Sequence, residues 1–449
     1  MFIRDKGFYK KVLTIAIPIT LQSLITFAIN MMDTIMVGRL GEITLSASSL
    51  SGQVFFITTI LCFGIAGGGA VLSSQFWGRR DSRSIAKTLS IVLKLNILVG
   101  IIFAILSFAI PEYLLRFYID VPEVIQAGIP YLKLVSVMYP LFCITTSISV
   151  IFRTISQIKI SVVANSVAFV LNVFFNWIFI FGKFGAPALG LAGAAIGTII
   201  ARLVECIIVV VYLFCVDKKI KFTIKDLFGF DKDIFKKYLK TGINVLISDT
   251  LLVAGLTSLT MILGRLGPEM VAANSICNIV IQLSTISMAG IASSCLVIIG
   301  NSIGERKIDV AREQSRTFLL ICVIAGIVAA VVITLTKPIA INFYNVTQET
   351  KDIAYKLMDG AAFIIMFQVP SIGLTKGILR GGGDTKFLLL ADIIFLWVLS
   401  IPLGILAAFV FNFPVALIYI CLKFDEIIKL VWCTIRMFGN KWIKDVTVT

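Results

Sequence analysis

The sequence contains no histidine. Without imidazole there is no Ser-His or Cys-His relay, no His-ligated zinc and no imidazole proton shuttle, which removes a large share of enzyme readings. Charge is also scarce: Asp, Glu, Lys and Arg make up 14% of the residues, against about a quarter in a soluble domain. The nine cysteines form no CxxC pair and lie singly, mostly inside apolar segments, as Cys62, Cys143, Cys206, Cys295 and Cys322 do. They read as small packing residues, with neither a metal nor a disulfide signal. No small-residue cleavage site follows the first apolar stretch, so that stretch reads as a retained helix rather than a signal peptide.

What is present is apolar sequence. Of 449 residues, 58% are hydrophobic, and the mean hydropathy is +1.00, so most of the chain must face lipid. The expected fold class is an all-α integral membrane protein. Twelve runs are long enough to cross about 30 Å of hydrocarbon, at about twenty residues each. Six fall between residues 13 and 216 and six between 241 and 437, the fourth near 128–152 and the last near 414–437. The net charge of +15 would suggest a nucleic-acid partner in a soluble protein, but here the basic residues sit in short runs between the apolar stretches. That pattern reads as topology, and the asymmetry of Lys and Arg between the two sets of loops predicts both termini on the cytoplasmic side of the plasma (inner) membrane. The segment 217–240, with eight lysines against four aspartates, divides the runs six and six. The expected organisation is a six-helix lobe over 1–216, a cytoplasmic basic linker over 217–240, and a second six-helix lobe with a short tail over 241–449.

The two halves match each other. A constant shift of 226 residues lays Gly38-Arg39-Leu40-Gly41 on Gly264-Arg265-Leu266-Gly267, Ala47 on Ala273, Thr59 on Thr285, Gly64 on Gly290, Gly78 on Gly304, Arg80 on Arg306 and Phe117-Tyr118 on Phe343-Tyr344. A shift of 227 then brings Arg153 onto Arg380 and Lys159 onto Lys386. Chance agreement in apolar sequence would favour Leu and Ile, whereas these matches are mostly Gly, Arg and aromatics, so the repeat is real. Because each unit has an even number of spans, the copies insert in the same sense, and parallel repeats of this kind place a substrate path between two lobes.

A carboxylate in hydrocarbon costs several kcal/mol unless it is paired, protonated or facing a wet cavity, so acidic residues within spans are functional candidates. Three stand out: Asp33, Asp249 and Asp392. Asn30 precedes Asp33 by about one turn on the same face, and Asn165, Asn172 and Asn176 share one stripe of the fifth span. If that stripe faces Asp33, the carboxylate is ringed by amide oxygens and can bind a proton, or a small hard cation such as Na⁺ with Asn172 and Asn176 as further ligands. The alternative is that the asparagines are hydrogen-bond glue between helices. Asp249 lies about one turn into the seventh span and is either a coupling residue or a residue of the cytoplasmic water layer. Asp392 is either a coupling residue or the partner of a lysine such as Lys376. Gln53, Asn165, Asn278 and Gln282 are, with Asp33, candidates for lining a substrate cavity. Arg202 with Glu205, and Glu426 with Lys429, read as structural i, i+3 pairs. The run Arg380-Gly-Gly-Gly-Asp-Thr-Lys386 lacks the ending of a phosphate loop and reads as a tight cytoplasmic turn. Gly193 and Gly197 supply a small-residue packing face, and Pro18, Pro140, Pro370 and Pro402 are expected to kink their spans.

Several motifs resemble the multidrug and toxic compound extrusion (MATE) family: Met32-Asp33-Thr34-Ile35-Met36-Val37-Gly38, Gln75-Phe-Trp-Gly-Arg-Arg-Asp81, Asn172-Val-Phe-Phe-Asn-Trp-Ile-Phe-Ile-Phe-Gly182 with Ala188-Leu-Gly-Leu-Ala-Gly-Ala194, and the run Arg380 to Lys386. The resemblance covers nearly the whole chain, in order. It implies a secondary antiporter, not an enzyme, that expels amphipathic, mostly cationic organic compounds while Na⁺ or H⁺ flows inward, with no cofactor beyond the coupling ion. It also implies that Asp33, Asn172 and Asp249 occupy the family's polar positions in the first, fifth and seventh spans. The chain departs from the pattern at Asn176, where one branch has aspartate, and at Val369 or Pro370, where another has a tenth-span aspartate; Asp392 could compensate. The expected partners are organic cations, the coupling cation and the bilayer, with no nucleic acid, and the expected state is a monomer. The alternative function is a flippase for a lipid-linked oligosaccharide or other amphiphile on a related two-lobe fold.

Overall fold

The structure is a computed structural model and describes residues 3–344, 346–411 and 413–448. Its elements are helical. The first half contains α1 (Lys6–Gly38), α2 (Glu42–Gly78), α3 (Ser82–Ala109), α4 (Pro111–Arg116), α5 (Pro122–Val135), α6 (Met138–Thr154), α7 (Ile158–Phe181), α8 (Leu191–Val211) and α9 (Ile224–Phe228). The second half contains α10 (Lys232–Gly264), α11 (Pro268–Gly304), α12 (Ile308–Phe343), α13 (Gln348–Ile372), α14 (Thr385–Asp392), α15 (Ile401–Ile405), α16 (Val415–Leu422) and α17 (Phe424–Phe438). Among the described residues, ten helices are long and apolar enough to span a membrane, and the bent pair of α5 and α6 makes an eleventh. Large apolar side chains such as Leu335, Ile339 and Phe343 are exposed along them, as lipid-facing surfaces require.

Two departures from the expected twelve spans have local causes. The fourth is bent by 49° between α5 and α6. Pro140 has no N–H to serve the carbonyl of Ser136 four residues earlier, and the Tyr139 amide takes that carbonyl instead at 3.1 Å, tightening the turn. The last expected run, 414–437, is two shorter helices meeting at Lys423. Asp425, Glu426 and Lys429 on α17 are buried, so this helix turns a charged face into the protein and fails as a simple apolar span. Pro370 and Pro402 do not act as lone kinks. Pro370 leads into a π-helical stretch, Gly373–Leu379, and Pro402 lies between two more, Ile393–Ser400 and Leu406–Val410.

The repeat seen in the sequence is written into the backbone. The matched pair Gly41 and Gly267 has φ of 109° and 123°, and the matched pair Arg80 and Arg306 has 60° and 62°. These are left-handed conformations at equivalent helix-to-helix turns, where glycine avoids the Cβ clash and arginine tolerates it.

The chain forms two compact units. One comprises Leu21–Ser73 and Asp81–Leu239; the other comprises Met1–Thr20, Ser74–Arg80 and Lys240–Thr449. They differ from a simple division of the sequence in that the beginning of α1 and the end of α2 belong with the second half. The basic segment over 217–240 belongs, up to Leu239, to the first unit, where it is docked: Ser90 donates to the Asp226 carbonyl at 2.6 Å, Lys87 pairs with Asp231 at 2.7 Å, and the Tyr238 hydroxyl donates to the Ile65 carbonyl at 3.0 Å.

In the first unit, α7 and α8 form a tight hairpin. Gly182 ends α7 with φ of 67°, its amide returning to the Ile178 carbonyl, while Gly193 lets α8 rest on the α7 backbone at Phe179 and Gly197 lets it rest on the side-chain oxygen and backbone amide of Asn176. In the second unit, Gly304 of α11 lies on the Gln75 carbonyl of α2, and Gly78 of α2 lies on the Asn301 carbonyl of α11, so two repeat-related glycines make reciprocal contacts. The C-terminal tail closes over this crossing. Trp442 is fully buried on Gly382, while Gln75 donates to the Lys444 carbonyl at 3.0 Å and accepts from the Val446 amide at 2.9 Å.

Candidate functional site

In the first unit the asparagine stripe of α7 does meet Asp33 of α1. Asn176 donates through Nδ2 to Asp33 Oδ1 at 2.6 Å and to Asn172 Oδ1 at 3.3 Å, and Asn172 donates to Thr198 Oγ1 of α8 at 3.2 Å. Asn176 is fully buried, and its own Oδ1 has no hydrogen-bond donor. A buried amide oxygen left without a donor costs about 1–3 kcal/mol; this one packs against Gly197 of α8, where a methyl group would collide with it, and a cation is a candidate to supply its missing partner. Arg202 acts electrostatically on Asp33 but is committed to Glu205 at 2.7 Å, as expected of that i, i+3 pair. The cluster therefore offers one carboxylate and three neutral oxygens, at Asn172, Asn176 and Thr198. This donor set suits a hard monovalent cation, whose single charge the carboxylate balances.

Among the described residues, the other candidates of this unit make no hydrogen bond to the cluster. Asn30 is exposed, and Asn165 is buried but donates back to the Ser161 carbonyl of its own helix at 3.0 Å. Gln53 is exposed on α2. Thr198 was missed in the sequence because a single threonine on a small-residue helix carries no pattern, and only the glycine face of α8 hinted that α8 would come close enough to α7.

In the second unit, Asp249 and Asp392 line a cavity of about 160 Å³ together with Lys376, Arg380, Glu426 and Lys429. Asp249 is not an open surface residue: its side chain is 15% exposed and is gripped by Arg380 through both guanidinium ends, at 2.8 and 3.2 Å. Lys376 is 3.9 Å from Asp249 and is not the partner of Asp392. That partner is Lys429, which bridges Asp392 and Asp425 at 2.9 Å each, while Ser248 donates to the other Asp392 oxygen. The pairing of Glu426 with Lys429 expected from the sequence is thus replaced by the i, i+4 pair with Asp425. Arg380, read as part of a turn, is a buried member of the cluster. The π-helical stretch Gly373–Leu379 between Pro370 and Arg380 widens the helix and presents Lys376 and Arg380 on the cavity side. Asn278 and Gln282 are exposed on α11 and do not line this cavity.

A bundle of long apolar helices, duplicated in sequence and carrying a polar cluster deep in each half, defines a membrane transporter built from two repeats. The MatE family model matches the chain twice, at residues 18–178 and 245–406, an offset within two residues of the internal repeat. The chain belongs to this family of multidrug and toxic compound extrusion transporters. Among curated relatives, a probable multidrug resistance protein NorM of Idiomarina loihiensis is 26% identical over 89% of this chain and 86% of its own length. The uncharacterized transporter YisQ of Bacillus subtilis is 24% identical over 92% and 90%. Among solved structures, an outward-facing multidrug resistance MATE family transporter matches with a TM-score of 0.86 at 17% identity, covering 98% of this chain and 99% of that one. A MATE structure in complex with MaL6 matches with a TM-score of 0.86 at 18% identity, covering 96% of each chain.

Proposed function

We propose that this chain is a cation-coupled secondary antiporter that exports amphipathic, mostly cationic organic compounds by alternating access. It resides in the plasma membrane with both termini cytoplasmic, and a single copy carries the complete coupling site. The observation that carries the reading is the Asp33 cluster, a carboxylate in an apolar span hydrogen-bonded by Asn176 and backed by an amide oxygen that has no donor. Na⁺ is held by Asp33 with Asn172, Asn176 and Thr198, or a proton is held by Asp33 alone; either neutralises the only carboxylate of the cluster. Neutralised, Asp33 no longer attracts an organic cation. Ionised, it does, so ion and drug compete for one charge and exchange across the membrane follows.

The test is uptake of a fluorescent organic cation into everted vesicles with Na⁺ and pH gradients imposed separately. One gradient drives uptake in the wild type. Asp33→Asn abolishes it while folded protein remains in the membrane, and full gradient-driven uptake by that variant would overturn the assignment.

A further inference from the structure

We propose that the cavity of the second unit is a binding site for a small amphiphilic organic anion, recognised at its carboxylate by Lys376. This goes beyond the export of cations through the Asp33 cluster and concerns separate residues. An acidic pair such as Asp249 and Asp392 invites a second cation site, but the charges there are already matched. Asp249 carries a bidentate Arg380, and Asp392 carries Lys429 and the Ser248 hydroxyl. The remaining lining carboxylate, Glu426, makes no ion pair of its own among the described residues and lies beside Asp425, Lys423 and Lys429. A cation binding at Asp249 or Asp392 would have to displace a buried guanidinium or ammonium, leaving that charge without its partner in low dielectric.

The pairing of Asp249 with Arg380 is also part of the repeated scaffold. The shift of 227 residues that lays Arg153 on Arg380 lays Gln22 on Asp249. In the first unit Arg153 donates to Gln22 Oε1 at 2.8 Å, the same contact made with a neutral acceptor. The aspartate thus sits where the fold places an acceptor for arginine.

The group with spare capacity is Lys376. Its side chain is 40% exposed, and Asp249, at 3.9 Å, is beyond hydrogen-bond reach. Three ammonium donors at the cavity therefore lack a close acceptor, with the Gln368 amide lining the same space. The wall beside them is apolar, formed by Leu252, Leu256, Ile372 and Leu388. A carboxylate on a short apolar body satisfies both surfaces: its oxygens meet Lys376, and its hydrocarbon meets the leucines and Ile372.

The experiment is calorimetric titration of the full chain in lipid nanodiscs with benzoate, and with benzylamine as the isosteric cation. Benzoate is expected to bind at least tenfold more tightly than benzylamine. Lys376→Gln is expected to weaken benzoate at least tenfold, and Lys376→Arg to retain it. Asp33→Asn is expected to lose gradient-driven uptake of organic cations yet bind benzoate as the wild type does, which separates this site from the coupling cluster. No benzoate binding by the wild type, benzylamine binding as tightly as benzoate, or undiminished benzoate affinity in Lys376→Gln would each overturn the proposal. Loss of benzoate binding in Lys376→Arg, with its thermal unfolding unchanged, would do the same.

Discussion

Arg380 holds Asp249 through two hydrogen bonds, at 2.8 and 3.2 Å, in the place where the first half of the repeat sets Arg153 against Gln22. The comparison separates what the fold needs, an acceptor for a buried arginine, from the charge that one half has added. Asp249→Gln is therefore expected to fold and to lose little stability, since it recreates the pairing of the other half. Arg380→Met is expected to cost about 3–5 kcal/mol, because it strands a carboxylate whose remaining cation is the distant Lys376. Thermal unfolding of both variants in detergent is the measurement. Equal destabilisation by the two substitutions would contradict the scaffold reading.

The oxygen of Asn176 makes a narrower claim. If it serves the coupling cation, Asn176→Ala should weaken that cation about tenfold, the loss of roughly 1.4 kcal/mol, while Asn165→Ala, which removes only a bond to its own helix, should leave affinity unchanged. Stabilisation of the unfolding temperature by added Na⁺ and by acid, compared across the three proteins, reads this out. Identical shifts in all three would remove Asn176 from the site.

The extent to which these sites were legible in the sequence follows from range. The asparagine stripe rests on a helical period within one segment, and it puts Asn172 and Asn176 on the face that meets Asp33 because α7 is a regular helix from Ile158 to Phe181. The repeat was legible because glycines and arginines at turns are fixed by backbone geometry, as the matched φ values at Arg80 and Arg306 record. The partners of Asp249 and Asp392 were not legible. They lie 131 and 37 positions away, at Arg380 and Lys429, and no local spacing chooses among the available cations. Proximity along the chain offers a lysine such as Lys376 as one of the readings of Asp392, whereas a π-helical stretch turns Lys376 toward Asp249.

Glycine substitutions discriminate between close helix crossings and free surface. Gly304 lies on the Gln75 carbonyl, whereas a methyl group on Gly52 would meet nothing within 4 Å. Gly304→Ala is expected to cost about 1–3 kcal/mol from forced backbone displacement. Gly52→Ala, inside α2, is expected to be neutral or to gain about 0.5–1 kcal/mol from helix propensity. Scanning calorimetry of the two variants should separate their midpoints in opposite directions about the wild type, and a common shift would remove the crossing as the cause.

The docked segment over 217–240 predicts how stability depends on pH outside the membrane. Burial of Asp226 works against its charged form, but the Thr223 hydroxyl and amide and the Arg83 guanidinium outweigh it and hold the carboxyl below its ordinary range. For Asp231 the Ile234 amide, followed by the Lys87 ammonium, lowers the carboxyl in the same way. A carboxyl depressed by folding contributes stability that is present above its unfolded pKa and is lost as pH falls through the folded one. The window therefore opens below about pH 4, the ordinary carboxylate value. Asp226→Asn is expected to destabilise the protein by about 1–2 kcal/mol at pH 7, through the lost helix cap and the weakened pair with Arg83. As the medium is acidified below about pH 4, the wild type should lose that advantage and the two unfolding temperatures should converge. A gap that stays constant down to the lowest pH the fold survives would show that the contribution of Asp226 does not come from its charge.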